Sequence, residues 1–226
     1  MSNEFNSDFL NKRGLNLQSI FNIDELPKDM IDALQSATQN LSEYNQLIMI
    51  GHGGKALWNS LTSQQLSTSD PIDDHSIQTF KNLNLTKFKI IYPGETIIPL
   101  QSLGIKTGWH HPSLFRIGIN EKWGAWFAYR VVALTRSNFK VTPKMSGNSP
   151  CANCTTKDCV SACPVGAVTE ESFQFEKCFK YRKTANSKCK DRCLARMACP
   201  VSKGHQYPMD QIKYHYGRSL KSLKNM

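Results

Sequence analysis

Cys151-Ala-Asn-Cys154-Thr-Thr-Lys-Asp-Cys159-Val-Ser-Ala-Cys163-Pro164 is the stretch on which the fold turns. Four further cysteines follow, Cys178, Cys189, Cys193 and Cys199, the last again preceding a proline, Pro200. The first 150 residues hold none. Iron in sulfide clusters prefers soft thiolate ligands, and short loops between cysteines let one turn of backbone aim several sulfurs at one site. Two sets of four thiols, with Cys-Pro steps at Cys163 and Cys199, read as the ligands of two [4Fe-4S] clusters.

In two-cluster ferredoxins the cysteine before proline reaches across to the other cluster. Applied here, Cys151, Cys154, Cys159 and Cys199 hold one cluster, and Cys163, Cys178, Cys189 and Cys193 hold the second. Such a crossed pairing staples distant segments, so residues 151–226 are expected to need iron in order to fold. The spacing also admits a pair of four-thiolate zinc sites or a disulfide framework. The repeated Cys-Pro favours clusters, although Cys154-x4-Cys159 and Cys193-x5-Cys199 are wider than the usual loops.

The net charge of +10 over 226 residues is uneven. Residues 1–150 carry 14 Lys/Arg against 12 Asp/Glu, giving +2, and residues 151–226 carry 14 against 6, giving +8. Each oxidised all-cysteine cluster brings about −2, so two would reduce that +8 to roughly +4. Cluster compensation and an RNA-binding surface both account for the basic excess. An apolar share of 40% suffices for a core. No apolar run approaches the ~18 residues of a membrane span, and the polar N-terminus MSNEFNSDFLNKRG lacks a secretory apolar region. Clustered thiols without such signals point to the reducing cytoplasm.

Along the chain, residues 1–14 read as a loose arm. A helix follows Pro27, keeping Met30 and Leu34 on one face. The apolar run 46–51 reads as a buried strand. Gly51-His52-Gly53-Gly54-Lys55 leads into a helix over 55–63. That junction offers backbone N–H groups to a phosphate or flavin, but it matches no phosphate-binding motif, and His52 reads as a turn residue. A helix starts at Asp70-Pro71, with Asp70 as cap and Asp73 and Asp74 in its first turn. Residues 87–93 read as a strand, 98–104 as a short helix, and 114–120 and 124–135 as two strands. The whole reads as α+β with a mixed sheet over 1–136, a linker over 137–150 and a cysteine-rich domain over 151–226 ending in a helix after Pro208.

Two family resemblances cover most of the chain. Gly108-Trp109, and then Gly124-Ala125-Trp126-Phe127, within SLGIKTGWHHPSLFRIGINEKWGAWFAYRVVALT (102–135), resemble the Gly-Leu-Gly-Trp and Tyr-Gly-Ser-Trp-Phe segments of epoxyqueuosine reductase. Gly124-Ala-Trp-Phe-Ala-Tyr-Arg130 and Asp70-Pro-Ile-Asp73 are similar to Gly-Gly-Trp-Phe-Ala-Ile-Arg and Asp-Pro-Val-Asp of the cobalamin-processing (decyanating) proteins. The resemblance implies a nitroreductase-like domain binding a corrinoid such as cobalamin, or a flavin, followed by a bacterial-ferredoxin-like two-cluster domain. It further implies that Gln101, Gly108, Trp109, Gly124, Trp126 and Arg130 contact that cofactor. The implied activity is that of an iron–sulfur oxidoreductase passing electrons to the corrinoid, for cobalamin processing or for reduction of a small-molecule substrate. A flavodoxin- or ferredoxin-reductase-type donor would supply the electrons, and a non-enzymatic electron carrier and a tRNA-modifying enzyme are the alternatives.

Departures from both families are plain. Where epoxyqueuosine reductase has an acidic proton donor, this chain offers only Glu95, out of register. Where the cobalamin-processing family has a histidine, it has Gln101. Trp109, Trp123, Trp126, Phe127 and Tyr129 form an aromatic band suited to core packing or to stacking on a flat cofactor, with Phe127 and Tyr129 on one strand face. His110 and His111 are candidate acids or ligands, or simply a polar loop.

Overall fold

The uninterrupted apolar run Leu47-Ile48-Met49-Ile50 decides where the first core sits, because a strand apolar on both faces must be covered on both. In the computed structural model, which describes residues 4–63 and 68–224 (without the side chains of 223 and 224), it forms β2, Gln46–Gly53, buried at every position. β1 (Leu17–Asn22) lies on one side of β2 and β4 (Phe127–Thr135) on the other, with β3 (Phe88–Tyr92) beyond β4. All three pairings are antiparallel. This corrects the expected mixed sheet. Helices between the strands suggested a parallel pair, yet β2 and β3, with α3 (Ala56–Thr62) and α4 (Pro71–Lys81) between them, are not neighbours, and each pairs antiparallel with β4.

The chain divides into two compact units, one of residues 1–108 and 127–146 and the other of residues 109–126 and 147–226. This division is interleaved, where the sequence suggested a linear one. The first unit holds the sheet with α1 (Ser7–Asn11), α2 (Lys28–Ala37), α3, α4 and α5 (Leu100–Thr107). α1 lies within the stretch expected to be a loose arm; Asn6 caps it by accepting from the N–H of Phe9. Pro71 stands in the first turn of α4 as expected, but the Asp70 side chain makes no capping hydrogen bond. Residues 137–146, expected as linker, are pinned to the sheet: Thr142 donates its N–H to the Ile20 carbonyl at 3.1 Å, and Gln46 donates to the Phe139 carbonyl at 2.8 Å.

The second unit is built on turns. It carries α6 (Asp158–Ser161), α7 (Phe175–Lys183), α8 (Leu194–Ala198) and α9 (Met209–Lys224). Residues 114–120, expected as a strand, form only isolated bridges, His111 to Ile119 and Asn120 to Gly124. Arg116, at φ 62°, breaks the extended run, and the Asn120 amide donates to the Trp109 carbonyl at 2.9 Å and accepts from the Trp123 N–H at 2.8 Å. Side-chain bonds of this kind offer the backbone an alternative to a ladder. Among the described residues, no helix is long and apolar enough to cross a membrane.

Candidate functional site

The eight thiols all lie in the second unit, and all are free. Local structure aims each one. Cys159 sits in α6 and Cys178 in α7, while Cys193 and Cys199 are the N- and C-caps of α8. The Cys163 sulfur accepts the N–H of Ala167 at 3.2 Å, and the Cys193 sulfur accepts that of Arg196 at 3.4 Å.

Their mutual electrostatic influence sorts them into two groups. Cys151 and Cys154 both act on Cys159 and on Cys199, and Cys199 acts on Cys159. Cys163, Cys189 and Cys193 act on Cys178, and Cys163 and Cys193 act on Cys189. Cys163 thus sits with residues after it, and Cys199 with residues far before it.

The second group lines an apolar hollow of about 200 Å³ with Phe115, Val168, Phe173 and Leu194. Of the first group, Cys159 and Cys199 are buried with Phe115, Ile119, Val168 and Ala195 and Cys151 packs against them, in a cluster that Cys163 and Cys193 of the second group also border. Burial, then neighbouring thiols, pushes Cys159 and Cys178 up to about 11, and burial likewise raises Cys151, Cys189, Cys193 and Cys199. A thiolate in such surroundings needs positive charge beside it. Among the described residues, no three His, Cys, Asp or Glu side chains are arranged to hold a single metal ion.

Two arginines beside the second group were not legible as site residues. Arg182 and Arg196 are each only 7% exposed. Arg182, which also lines the hollow, donates to the carbonyls of Cys189 at 3.2 Å and Tyr216 at 2.9 Å and to the Ser219 hydroxyl at 3.2 Å. Arg196 donates to the Ala125 carbonyl at 2.6 Å, with its guanidinium 4.3 Å from the Trp126 ring centre. Among the described residues, neither forms an ion pair with a carboxylate, whereas Arg192 binds Asp191 at 2.7 Å. Acidic Arg182 and Arg196 partners would stand out in a sequence; neutral carbonyls do not.

The residues implied to contact a corrinoid have other engagements. Gln101 is exposed on α5. Gly108, at φ 77°, ends α5, and a Cβ there would lie 2.1 Å from the Met145 carbonyl oxygen. Gly124, at φ 58°, leaves 2.4 Å to the Val201 oxygen. Trp109 is buried, and Trp126 packs edge-on to Tyr207 at 5.3 Å between centroids. Phe127 and Tyr129 meet edge-on on one face of β4 as the alternation predicts, at 6.0 Å. Trp123 packs against His205 at 4.5 Å.

In the first unit Arg130 is buried and donates its Nε–H to Nδ1 of His52 at 3.0 Å, with Asp73 4.0 Å away. His52 lies inside β2 and is fully buried, so its reading as a turn residue is corrected. The strand runs two residues past its apolar stretch, and only the pairing with β4 reveals this. In the second unit His110 is buried and held below the usual histidine range, by burial and then by His111. Glu95 is exposed between β3 and α5.

A scan against protein-family models finds no match, and a search of curated proteins finds no relative. Solved structures do share the fold. Epoxyqueuosine reductase from Streptococcus thermophilus is similar at a TM-score of 0.52 and 12% identity, over 89% of this chain and 66% of that one. The Bacillus subtilis enzyme, with its catalytic aspartate loop swung out of the active site, gives 0.55 and 11%, over 89% and 65%. An epoxyqueuosine reductase bound to a tRNA-Tyr epoxyqueuosine-modified stem loop gives 0.56 and 11%, over 91% and 66%. The chain thus spans just under two thirds of these neighbours' length.

Proposed function

We propose that this chain is an iron–sulfur reductase whose second unit holds two [4Fe-4S] clusters. The observation that carries the reading is that four free thiols, Cys163, Cys178, Cys189 and Cys193, line one apolar hollow, while Cys159 and Cys199 are buried in an adjoining core cluster that Cys151 borders. When bound, each cluster stores and passes one electron at a time.

The residues fit such a group. Backbone N–H donors already point at the Cys163 and Cys193 sulfurs, and the backbones of Leu114, Leu194 and Val201 serve Cys151, Cys189 and Cys199 in the same way. Thiols that burial keeps protonated become thiolates beside a cationic core. Buried arginines lacking a carboxylate acquire an anionic neighbour, which offsets a cost of several kcal/mol for each isolated charge. Sulfurs spread around a hollow suit a multi-atom group better than one tetrahedral ion.

The likeness to epoxyqueuosine reductases supports a reductase, and the ordered sequence matches support a corrinoid as electron acceptor. Gly108 and Gly124 are closed by backbone, Trp126 is covered by Arg196 and Tyr207, and Arg130 is held by His52. Those side chains do not fit a corrinoid as they stand, so no step is derived through one. Anaerobic purification with iron and sulfide analysis tests the central reading: about eight irons per chain support it, while zinc, or no metal, overturns it. Adding cobalamin to the same sample tests the acceptor, and an unchanged spectrum removes the corrinoid.

A second reading, a tRNA-modifying reductase, draws on the neighbour solved with a tRNA stem loop and on the +8 charge of residues 151–226. On α9, Lys213 and Lys221 are exposed. Phosphate contact would make RNA affinity fall steeply with salt; a flat salt dependence removes this reading.

A further inference from the structure

The two thiol groups differ in the charges built around them. Beside Cys151 stands Lys157, which donates to the Cys151 carbonyl at 3.0 Å, and the opposite charge of Asp158 acts on Cys199. One cation and one anion, both half-buried, thus stand beside the first group. Beside the second group stands Arg182, buried, lining the hollow and bonded only to neutral oxygens among its hydrogen bonds. Arg196 adds a second buried cation next to Cys193, while the third arginine nearby, Arg192, is neutralised by Asp191 at 2.7 and 3.1 Å.

We propose that Arg182 makes the centre held by Cys163, Cys178, Cys189 and Cys193 the more oxidising of the two, so that electrons run to it from the centre held by Cys151, Cys154, Cys159 and Cys199. The inference rests on the cluster assignment above. Reduction adds one negative charge to a centre and breaks no bond. A buried, uncompensated cation stabilises that charge with little screening, and a half-buried lysine opposed by an aspartate does so far less. The balance is one electron in from a low-potential one-electron donor such as a flavodoxin-type protein, which is oxidised by one electron, and one electron across, which leaves the second centre reduced by one electron and the first reoxidised. Arg182 is a positioning residue in this scheme, because it touches Cys189 through its carbonyl.

The test is an EPR-monitored redox titration of the anaerobically purified full chain with dithionite as reductant. Two potentials are expected in the native protein. Cys178→Ala should lose the more positive one, and Cys154→Ala the more negative. Arg182→Gln should lower the more positive potential alone, by at least tenfold in its reduction equilibrium, which is 59 mV for one electron. Arg182→Lys, which keeps the charge, should restore most of the shift. Loss of the more positive potential in Cys154→Ala overturns the proposal even if Arg182→Gln fails to fold. So does an Arg182→Gln protein, with its iron intact, whose potentials are unmoved. Absence of iron in the native protein overturns the cluster assignment itself.

Discussion

The Nε–H of Arg130 meets Nδ1 of His52 at 3.0 Å, inside the sheet of the first unit. Because the guanidinium can only donate, Nδ1 must accept, and the imidazole proton is therefore on Nε2. Nitrogen NMR of labelled protein should show His52 as the Nε2–H tautomer. Arg130→Met leaves a buried acceptor without its donor and should cost about 1–3 kcal/mol, read as a lowered Tm. Replacing both residues, with His52→Leu added, should cost less than the sum of the two single changes, since an apolar pair has no unmet partner.

Iron removal should act on one unit and spare the other. The first unit has its own core, with Leu47, Ile48, Val131 and Leu134 fully buried in β2 and β4. The second depends on short helices and on thiols that packing holds protonated, so without a bound group it lacks its central staple. Anaerobic chelation should abolish hydrogen-exchange protection over 151–200 and leave β2 and β4 protected. Loss of protection in both units together, or in neither, would contradict this.

Strands expected at 46–51, 87–93 and 124–135 correspond to β2, β3 and β4 with ends shifted by up to three residues, and the helix after Pro71 and the final helix are also present, because each combines an apolar pattern with a start signal. β1 escaped it: Leu17-Gln-Ser-Ile-Phe-Asn22 carries a buried serine, and its strand character comes from pairing with β2. The interleaved units escaped it as well, because residues 109–126 are aromatic-rich like the strand they precede, yet group with the cysteine-rich part. The cysteine-rich stretch itself was legible from its spacing, and all eight thiols fall in the second unit. Arg182 and Arg196 were not, since a basic residue in a +8 segment looks like a solvated face until burial is seen.

His110 gives the second unit an acid sensitivity of definite sign. Burial first, and the neighbouring His111 second, lowers its folded-state value below the usual 6.5. Its stability contribution is present while the ring is neutral in both states. As pH falls through about 6.5, the unfolded chain takes up a proton that the folded one refuses, and stability drops by up to about 1.4 kcal/mol per pH unit until the folded value is reached. NMR titration should place His110 below 6.5. Thermal midpoints between pH 7 and 5.5 should fall less in His110→Gln than in the native chain. An equal fall in both would show that this ring is not the acid-sensitive group.

Three glycines separate backbone fit from mere composition. Gly124 and Gly108 both have positive φ, and an added Cβ would meet a carbonyl oxygen at 2.4 and 2.1 Å, closer than any tolerated contact. Gly124→Ala must therefore displace residue 201, two positions from the Cys199 ligand candidate, and Gly108→Ala must displace residue 145. Each should cost at least about 2 kcal/mol, through strain and clash together. Their consequences should differ: Gly124→Ala should lower the iron content of the purified chain, and Gly108→Ala should lower Tm with iron retained. Gly204 has nothing within 4 Å of the same position and no positive φ, so Gly204→Ala should leave both quantities unchanged. Iron content that follows Gly108→Ala as closely as Gly124→Ala would mean that the effect passes through general instability and not through the approach of residue 201.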